Sequence, residues 1–500
     1  MPDPWNPEIA ARFEQIVGSA FVDTSTAALQ LASTATFATN SRVAAIVKPG
    51  NRTEVQACLR TANASQVKVY PVSRGKNWGL GSAVPTSDHC VLLDLSRLDR
   101  ILHFDDTLGY VTLESGVTFQ QVYEYLRERN AHYFLSVTGG PPDGSVIGNL
   151  VERGDGAGPY GQRGDFVCAA EVVLPGGELI RTGFARFDGA EAAHVSRVGV
   201  GPQFGSLFNQ SNLGVVTQLT VWLTPLPKYF QPFFCRINQE SQLPAVLDAA
   251  RDLLLNRVME PNGFGIWNSY KYNASQSQYP WHATADKTPL DLADFGDAPW
   301  FAGGAIYAAN EDIGFAQSGL VQKTIEPLVD QFLYMDSGDR DNVYLGVPTE
   351  QNIKSMYWRK RGPVPERIQP EADRCGVIWL CHALPLVGKQ IADALADIQP
   401  RILQHGFEPN IGLNCISGRS AHLYTALLYD RERPGEDDRA RACHDDVTAV
   451  LAQRGHLPYR LGLLSMQALP AANDDSAYLY HAIKNAIDPG QILAPGRYEL

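Results

Sequence analysis

Apolar residues first recur in a strand pattern at Val43 to Lys48, a run closed by Pro49-Gly50. Thr53-Glu54-Val55-Gln56 has the order of a capping box, with Gln56 placed to reach back to the cap. Val55, Cys58, Leu59 and Ala62 then share one face at helical spacing. Alternation returns at Val67 to Val72, so the first unit reads as βαβ. A glycine-rich run, Gly75-Lys76-Asn77-Trp78-Gly79-Leu80-Gly81, leaves its second strand and is preceded by Arg74.

Short strands follow at Val91 to Leu95, Ile101 to Phe104 and Tyr110 to Glu114, with Asp105-Asp106 and Ser115-Gly116 as turns. Thr118 and Gln121 repeat the capping-box order, and Phe119, Val122, Tyr123 and Leu126 give the next helix its apolar stripe. Further strands are expected at Glu171 to Leu174, before the turn Pro175-Gly176-Gly177, and at Val215 to Leu223. This is an α+β pattern and not the regular alternation of a Rossmann sheet. A boundary is expected near Thr224-Pro225-Leu226-Pro227. Beyond it helices at Leu243 to Arg257 and Ile391 to His405 mix with strands at Val377 to Cys381 and Leu423 to Tyr429. The charged segment Arg431 to Asp446 reads as a solvated loop leading into a helix.

A chain of 500 residues exceeds what one core usually holds, which predicts two domains. With 44% apolar and 19% charged residues the composition is that of an ordinary globular protein. The net charge of −12 speaks against a phosphate-backbone partner, so no nucleic acid is expected. Eight cysteines lie scattered, without metal-ligand or haem-attachment spacing, and most sit inside apolar runs. They read as buried thiols of a reducing compartment, with no metal site. No apolar run approaches a membrane span, and Met1-Pro2-Asp3-Pro4-Trp5 lacks the order of a signal peptide. A cytoplasmic protein is expected.

Three glycines after a strand let main-chain N–H groups come close to a ligand, and a nest of such donors suits a diphosphate. The loop therefore suggests a dinucleotide, although a glycine-rich turn alone is also a common structural device. Several stretches, in order, narrow the reading. These are Arg74 to Pro85, Glu114 to Thr118, Gly148-Asn149-Leu150-Val151-Glu152-Arg153-Gly154, Pro159-Tyr160-Gly161 and Glu171 to Leu174. Leu207 to Thr217, Tyr459-Arg460, and Ile487 to Gly496 continue the series. Together they resemble the vanillyl-alcohol oxidase and 4-cresol dehydrogenase flavoproteins, from about residue 43 to the end.

The resemblance implies a two-part FAD-binding domain interrupted by an α+β cap over the substrate. Its parts would be residues 1–226 (nucleotide side), 227–455 (cap), and 456–500 (completing the FAD domain and the pocket). It implies that Arg74, Gly75, Lys76, Asn77, Trp78, Gly79, Gly81 and Ser82 cradle the diphosphate. Ser145, Gly148, Asn149, Gly214, Val215 and Arg497 would also line FAD. Relatives on this fold that attach flavin through a histidine in the first glycine loop have no counterpart here. Gly418-Arg419-Ser420-Ala421-His422 resembles the cap segment that carries a flavin-linked histidine, with Ala421 in place of Met. His422 is then the implied covalent link to FAD, or else an interior histidine bonded within the protein.

Glu152 stands where the family has an acidic residue beside the flavin. It is either a proton acceptor whose pKa burial raises, or the ion-pair partner of Arg153. Tyr459 and Arg460 match the pair that binds the phenolate of para-substituted phenols, with Leu461, Leu463 and Leu464 suggesting a half-buried strand. Leu80 departs from the family, whose phenol oxidases carry Tyr there as a third clamp donor. Ala157-Gly158 before Tyr160 likewise replaces a bulkier pair, so a roomier or reshaped pocket with Leu80 and Tyr160 is expected, for a phenol held by fewer donors or for a substrate that is not a simple para-alkylphenol.

The implied activity is removal of hydride from the benzylic carbon of a para-substituted phenol or related aromatic alcohol. Dioxygen or a separate electron acceptor would reoxidise the flavin, and a homodimer is expected. A sugar or polyol oxidase on the same fold, and a flavin binder without turnover, are the rival readings.

Overall fold

The computed structural model describes residues 5–295, 298–338 and 341–499; residues 1–4, read above for a signal peptide, lie outside the described residues. The elements run α1 (Pro7–Val17), β1 (Val22–Asp23), α2 (Thr26–Ala32), β2 (Val43–Val47), α3 (Arg52–Ser65), β3 (Val69–Val72), β4 (Cys90–Asp94), β5 (Ile101–Asp105), β6 (Tyr110–Glu114), α4 (Phe119–Glu128), β7 (Tyr133–Phe134), α5 (Val146–Val151), β8 (Val167–Val173), β9 (Leu179–Arg181), β10 (Val215–Trp222) and β11 (Thr224–Pro225). There follow β12 (Tyr229–Ile237), α6 (Leu243–Leu255), β13 (Phe264–Asn268), α7 (Ser269–Gln276), β14 (Trp300–Ala308), α8 (Glu311–Ile325), β15 (Gln331–Tyr334), α9 (Gln351–Lys354), β16 (Cys375–Pro385), α10 (Gly388–Gln404), β17 (Asn410–Cys415), β18 (Ser420–Asp430), α11 (Glu436–Gln453) and α12 (Ser476–Ile487). This is the α+β architecture expected. No helix among the described residues is long and apolar enough to cross a membrane.

The first unit pairs as a parallel crossover, with β4 inserted between β2 and β3 in the sheet order β1-β2-β4-β3. Helix α3 buries Val55, Cys58, Leu59 and Ala62 against it, as its stripe predicts. Its cap differs from expectation. Asn51, and not Thr53, accepts from the Glu54 N–H, and Glu54 answers by accepting from the Gly50 N–H at 2.7 Å. The end of the chain closes this sheet: Val69 donates to the Ile492 carbonyl and receives from the Ala494 N–H, both at 2.8 Å. A second, antiparallel sheet, β5-β6-β10-β8-β9, carries α4, whose Thr118–Gln121 capping box forms as read.

The third sheet has seven strands in the order β15-β12-β14-β13-β17-β18-β16. Its two faces separate by strict alternation. Leu380, Leu413 and Leu423 join the core with Ile391, Leu395 and Ile398 of α10 and Val447 and Leu451 of α11. The intervening residues Trp379, Cys381, His422 and Tyr424 face the other way, toward the glycine loop. Trp379 donates its N–H to the Gly79 carbonyl at 2.9 Å, which fixes the sheet to that loop.

The charged stretch after β18 is less solvated than its composition suggests. Glu436 is buried at the start of α11 and accepts from Arg439 at 2.5 Å. Nearby, Arg359 pairs with Glu408 through two bonds of 3.0 and 2.9 Å in the interior. All eight cysteines are unpaired and buried.

Candidate active site

The glycine loop follows β3 with Gly75, Gly79 and Gly81 at φ 66°, 78° and 131°, angles that side chains rarely adopt. Among the described residues the N–H groups of Gly75, Lys76, Asn77 and Trp78 have no acceptor, whereas Gly79 donates to Thr36 and Ser82 to the Asn77 carbonyl. Two of the glycines have a reason other than a ligand. A Cβ on Gly79 would lie 2.0 Å from the Trp379 ring, and one on Gly81 2.5 Å from Leu463. Arg74 donates to the Gly116 carbonyl at 2.7 Å, and Lys76 pairs with Asp143 at 3.2 Å while resting over Trp78.

A recess beside the loop is lined by Val72, Ser73, Ile147, Glu152, Gly214, Val215 and Arg497. Ser145 caps α5 by accepting from the Gly148 N–H at 2.8 Å and donates to the Ser115 carbonyl at 2.6 Å. Asn149 accepts from Arg163, and Gly214 presses on Val172, where a Cβ would come within 2.5 Å. The side chains of Ser145 and Asn149 are thus spent on shaping the wall. Four consecutive free N–H donors, small residues along the recess and a buried Ser82 hydroxyl without a partner fit the diphosphate and ring system of FAD.

Glu152 ends α5 and points into this recess. Arg497 donates to it at 2.6 Å and the Tyr498 hydroxyl at 3.1 Å, while Arg497 also donates to the Tyr70 hydroxyl at 2.6 Å. Both expectations for Glu152 are corrected. Burial works to raise its pKa, but Arg497, Arg460 and the bonds from Arg497 and Tyr498 outweigh it and hold the carboxylate below its usual range. The ion pair is with Arg497 and not with Arg153.

Asp155 gathers the second cluster. One of its oxygens bonds His422 Nδ1 at 2.6 Å, accepts from the Tyr424 hydroxyl, and lies 3.5 Å from that of Tyr459. The rings of His422 and Tyr459 stack 3.7 Å apart and 9° from parallel. Burial, then Asp155, keeps the Tyr459 hydroxyl protonated well above its ordinary pKa. Gln210 links the clusters by donating to the carbonyls of Glu152 and Tyr459 at 3.3 and 2.9 Å.

Arg460 donates to Asn77 of the glycine loop at 2.8 Å, and its Nε is buried without a partner. The stretch around it is a turn and not the strand expected, because Gly462 and Ser465 close it with a 3.0 Å main-chain bond. Leu80 is buried here, its carbonyl accepting from the Leu463 N–H at 2.9 Å. Tyr160 does not join this group. Its hydroxyl bonds the Trp222 carbonyl at 3.3 Å, and its ring meets Phe166 edge-on, so it braces the second sheet. Sequence reasoning missed Asp155 and Tyr424. Asp155 follows Gly154 and precedes Gly156, which reads as a turn, and nothing in the chain announces its distance to His422.

The family described as FAD binding domain matches residues 43–183. The chain is 44% identical to 1'-carboxy-chondrochloren decarboxylase of Chondromyces crocatus, over 98% of this chain and 96% of that protein. It is 28% identical to the 4-cresol dehydrogenase [hydroxylating] flavoprotein subunit of Pseudomonas putida, over 89% of this chain and 85% of the other. The crystal structure of p-cresol methylhydroxylase with substrate bound superimposes with a TM-score of 0.90 at 24% identity, covering 99% and 96% of the two chains, which establishes a shared fold. The chain is an FAD-dependent oxidoreductase and belongs to the vanillyl-alcohol oxidase and 4-cresol dehydrogenase flavoprotein family.

Proposed function

We propose that the protein oxidises the benzylic carbon of a para-substituted phenol whose side chain carries a carboxylate, and that carbon dioxide is lost in the same turnover. The observation that carries this reading is Arg460, a guanidinium with a buried, unpartnered Nε beside Tyr459 and braced by Asn77. A phenolate oxygen supplies the acceptor that this donor lacks. The decarboxylase named among the relatives supports the carboxylate.

FAD, when bound, supplies the two-electron acceptor that takes the benzylic hydride. The loop donors of Gly75 to Trp78 would hold its diphosphate, and Arg497 with Glu152 would line the recess that takes its ring. Arg460 and Tyr459 stabilise negative charge on the phenolic oxygen. Tyr459 passes the phenolic proton toward Asp155, which lies next to it. Glu152 is held ionised by Arg497, below its usual range. The balance closes: the phenol yields a proton and a hydride and becomes a quinone methide. The electron pair of its C–CO2 bond then forms the side-chain double bond and restores the phenolate. The products are an alkenylphenol, CO2 and reduced cofactor.

Anaerobic mixing with 3-(4-hydroxyphenyl)propanoate tests the reading. Loss of the visible flavin band with equimolar 4-vinylphenol and CO2 is expected. An unchanged band with this acid and with 4-ethylphenol, alongside reduction by a sugar or aliphatic alcohol, would overturn it.

A further inference from the structure

The seven-stranded sheet places a lysine on the face that carries His422 and Tyr424. Lys271 lies in the first turn of α7, where Asn268 caps the helix. Its side chain runs across β17 at Gly412, where a Cβ would come within 2.9 Å of the lysine Cε. The ammonium sits between two indoles, 5.2 Å from the Trp267 ring and 4.9 Å from the Trp379 ring. Trp379 is the same residue that presses on Gly79 of the cofactor loop.

Register carries the lysine toward the phenolate clamp. Gly412 pairs with Tyr424, and Tyr424 with Cys381. The Cys381 carbonyl accepts from the Tyr459 N–H at 3.1 Å. A row of side chains on one face thus joins Lys271, by way of Tyr424 and Cys381, to Tyr459 and Arg460. Among the described residues the Lys271 Nζ meets no carboxylate and no hydrogen-bond acceptor. It keeps some accessible surface, yet burial pushes it down to about 8.

A cation removed from bulk water without an anion is costly, and two indole faces compensate only part of that. We propose that Lys271 receives the carboxylate of the substrate, with the phenolic end of the same molecule on Tyr459 and Arg460. The proposal rests on the phenol reading above and names what lies at the other end of the substrate. A single ammonium between apolar rings fixes the carboxylate at one point and leaves its surroundings dry.

The ionisable groups facing Lys271 are Cys381 on β16, whose thiol burial pushes up to about 11, and Tyr424 on β18; Trp267 on β13 and Gly412 on β17 carry none. The lysine therefore titrates before the Cys381 thiol as pH rises. The ammonium is present below about 8 and lost above it, so affinity for a carboxylate falls with rising pH through that value.

The test uses 4-hydroxycinnamate, which has no benzylic hydride to lose, and its methyl ester, titrated calorimetrically into flavin-loaded protein. In Lys271→Met the acid should bind roughly 30-fold or more weakly, the change that truncating one partner of a buried charge pair produces. The ester should bind as before, which certifies the fold of the variant. Lys271→Arg should restore most of the affinity. Acid binding should weaken above about pH 8 in the parent protein and show no such step in Lys271→Met. Equal acid affinity in parent and Lys271→Met, or a loss shared equally by acid and ester, overturns the assignment. The phenol reading is judged separately, by flavin reduction with 4-ethylphenol. If that fails while acid binding still depends on Lys271, the lysine assignment stands and the reaction falls.

Discussion

At the scale of single residues, the decisive arrangement is the one around Asp155. With His422 Nδ1 held by this carboxylate, the ring is fixed with Nε2 turned away from it, and a neutral imidazole so placed would offer Nε2 as its lone pair. That is the state in which a histidine attacks an electrophilic carbon, and it supports a covalent bond from His422 to FAD. Acid-precipitated protein should stay yellow. His422→Ala should release its flavin into the supernatant, and Asp155→Asn should fall between the two. Yellow His422→Ala pellets would move the bond elsewhere. His422, Tyr459 and Arg460 were singled out because each sits in a short motif, and the structure stacks the first two rings on one another. Asp155 and Lys271 were not singled out, since one resembles a turn residue and the other a solvated helix residue. Glu152 was found but its chemistry was misread: burial was visible in its apolar neighbours, whereas Arg497 lies far along the chain and reverses the sign.

At the scale of elements, alternation was a dependable guide wherever one face of a strand meets a core. The strand read at Leu423 to Tyr429 lies within β18, and the one at Val377 to Cys381 within β16. The cap of α3 was misplaced by two residues because Asn51 and Thr53 are both good caps, and only the Glu54 bond to the Gly50 N–H decides between them. The glycine loop was read for its ligand, and the packing of Gly79 went unseen. Gly79→Ala puts a methyl group 2.0 Å from the Trp379 ring at a φ of 78°. The backbone strain alone costs about 1–3 kcal/mol. A lower melting temperature and reduced flavin content should follow. Adding Trp379→Ala should recover part of the flavin content by removing the clash, though not the strain. Full recovery would mean that the left-handed conformation imposes no cost here.

At the scale of the molecule, the site exists because distant segments meet. The closure of the first sheet by Ile492 to Ala494 was not legible, because composition carries no pairing distance. That closure hangs on one buried ion pair. Lys484 is 1% and Asp488 0% exposed, 2.7 Å apart, and Lys484 also donates to the Asn212 and Leu493 carbonyls at 2.9 Å. Asp488 in turn accepts from the Ile492 and Leu493 N–H groups, both at 3.0 Å. The pair therefore holds the segment that seats Arg497 beside Glu152. Lys484→Met leaves a carboxylate buried without its cation, a loss of about 3–5 kcal/mol. Urea denaturation should show that loss, and flavin should dissociate at lower denaturant than the seven-stranded sheet unfolds, since the clasped end pairs with the first sheet. Lys484→Met combined with Asp488→Leu removes the stranded charge and should regain part of the stability. It should regain less of the flavin affinity, because the bonds that position residues 492 and 493 are gone with the carboxylate. If the double variant binds flavin as tightly as the parent, the end of the chain is held by its apolar contacts alone and the ion pair is incidental to the cofactor.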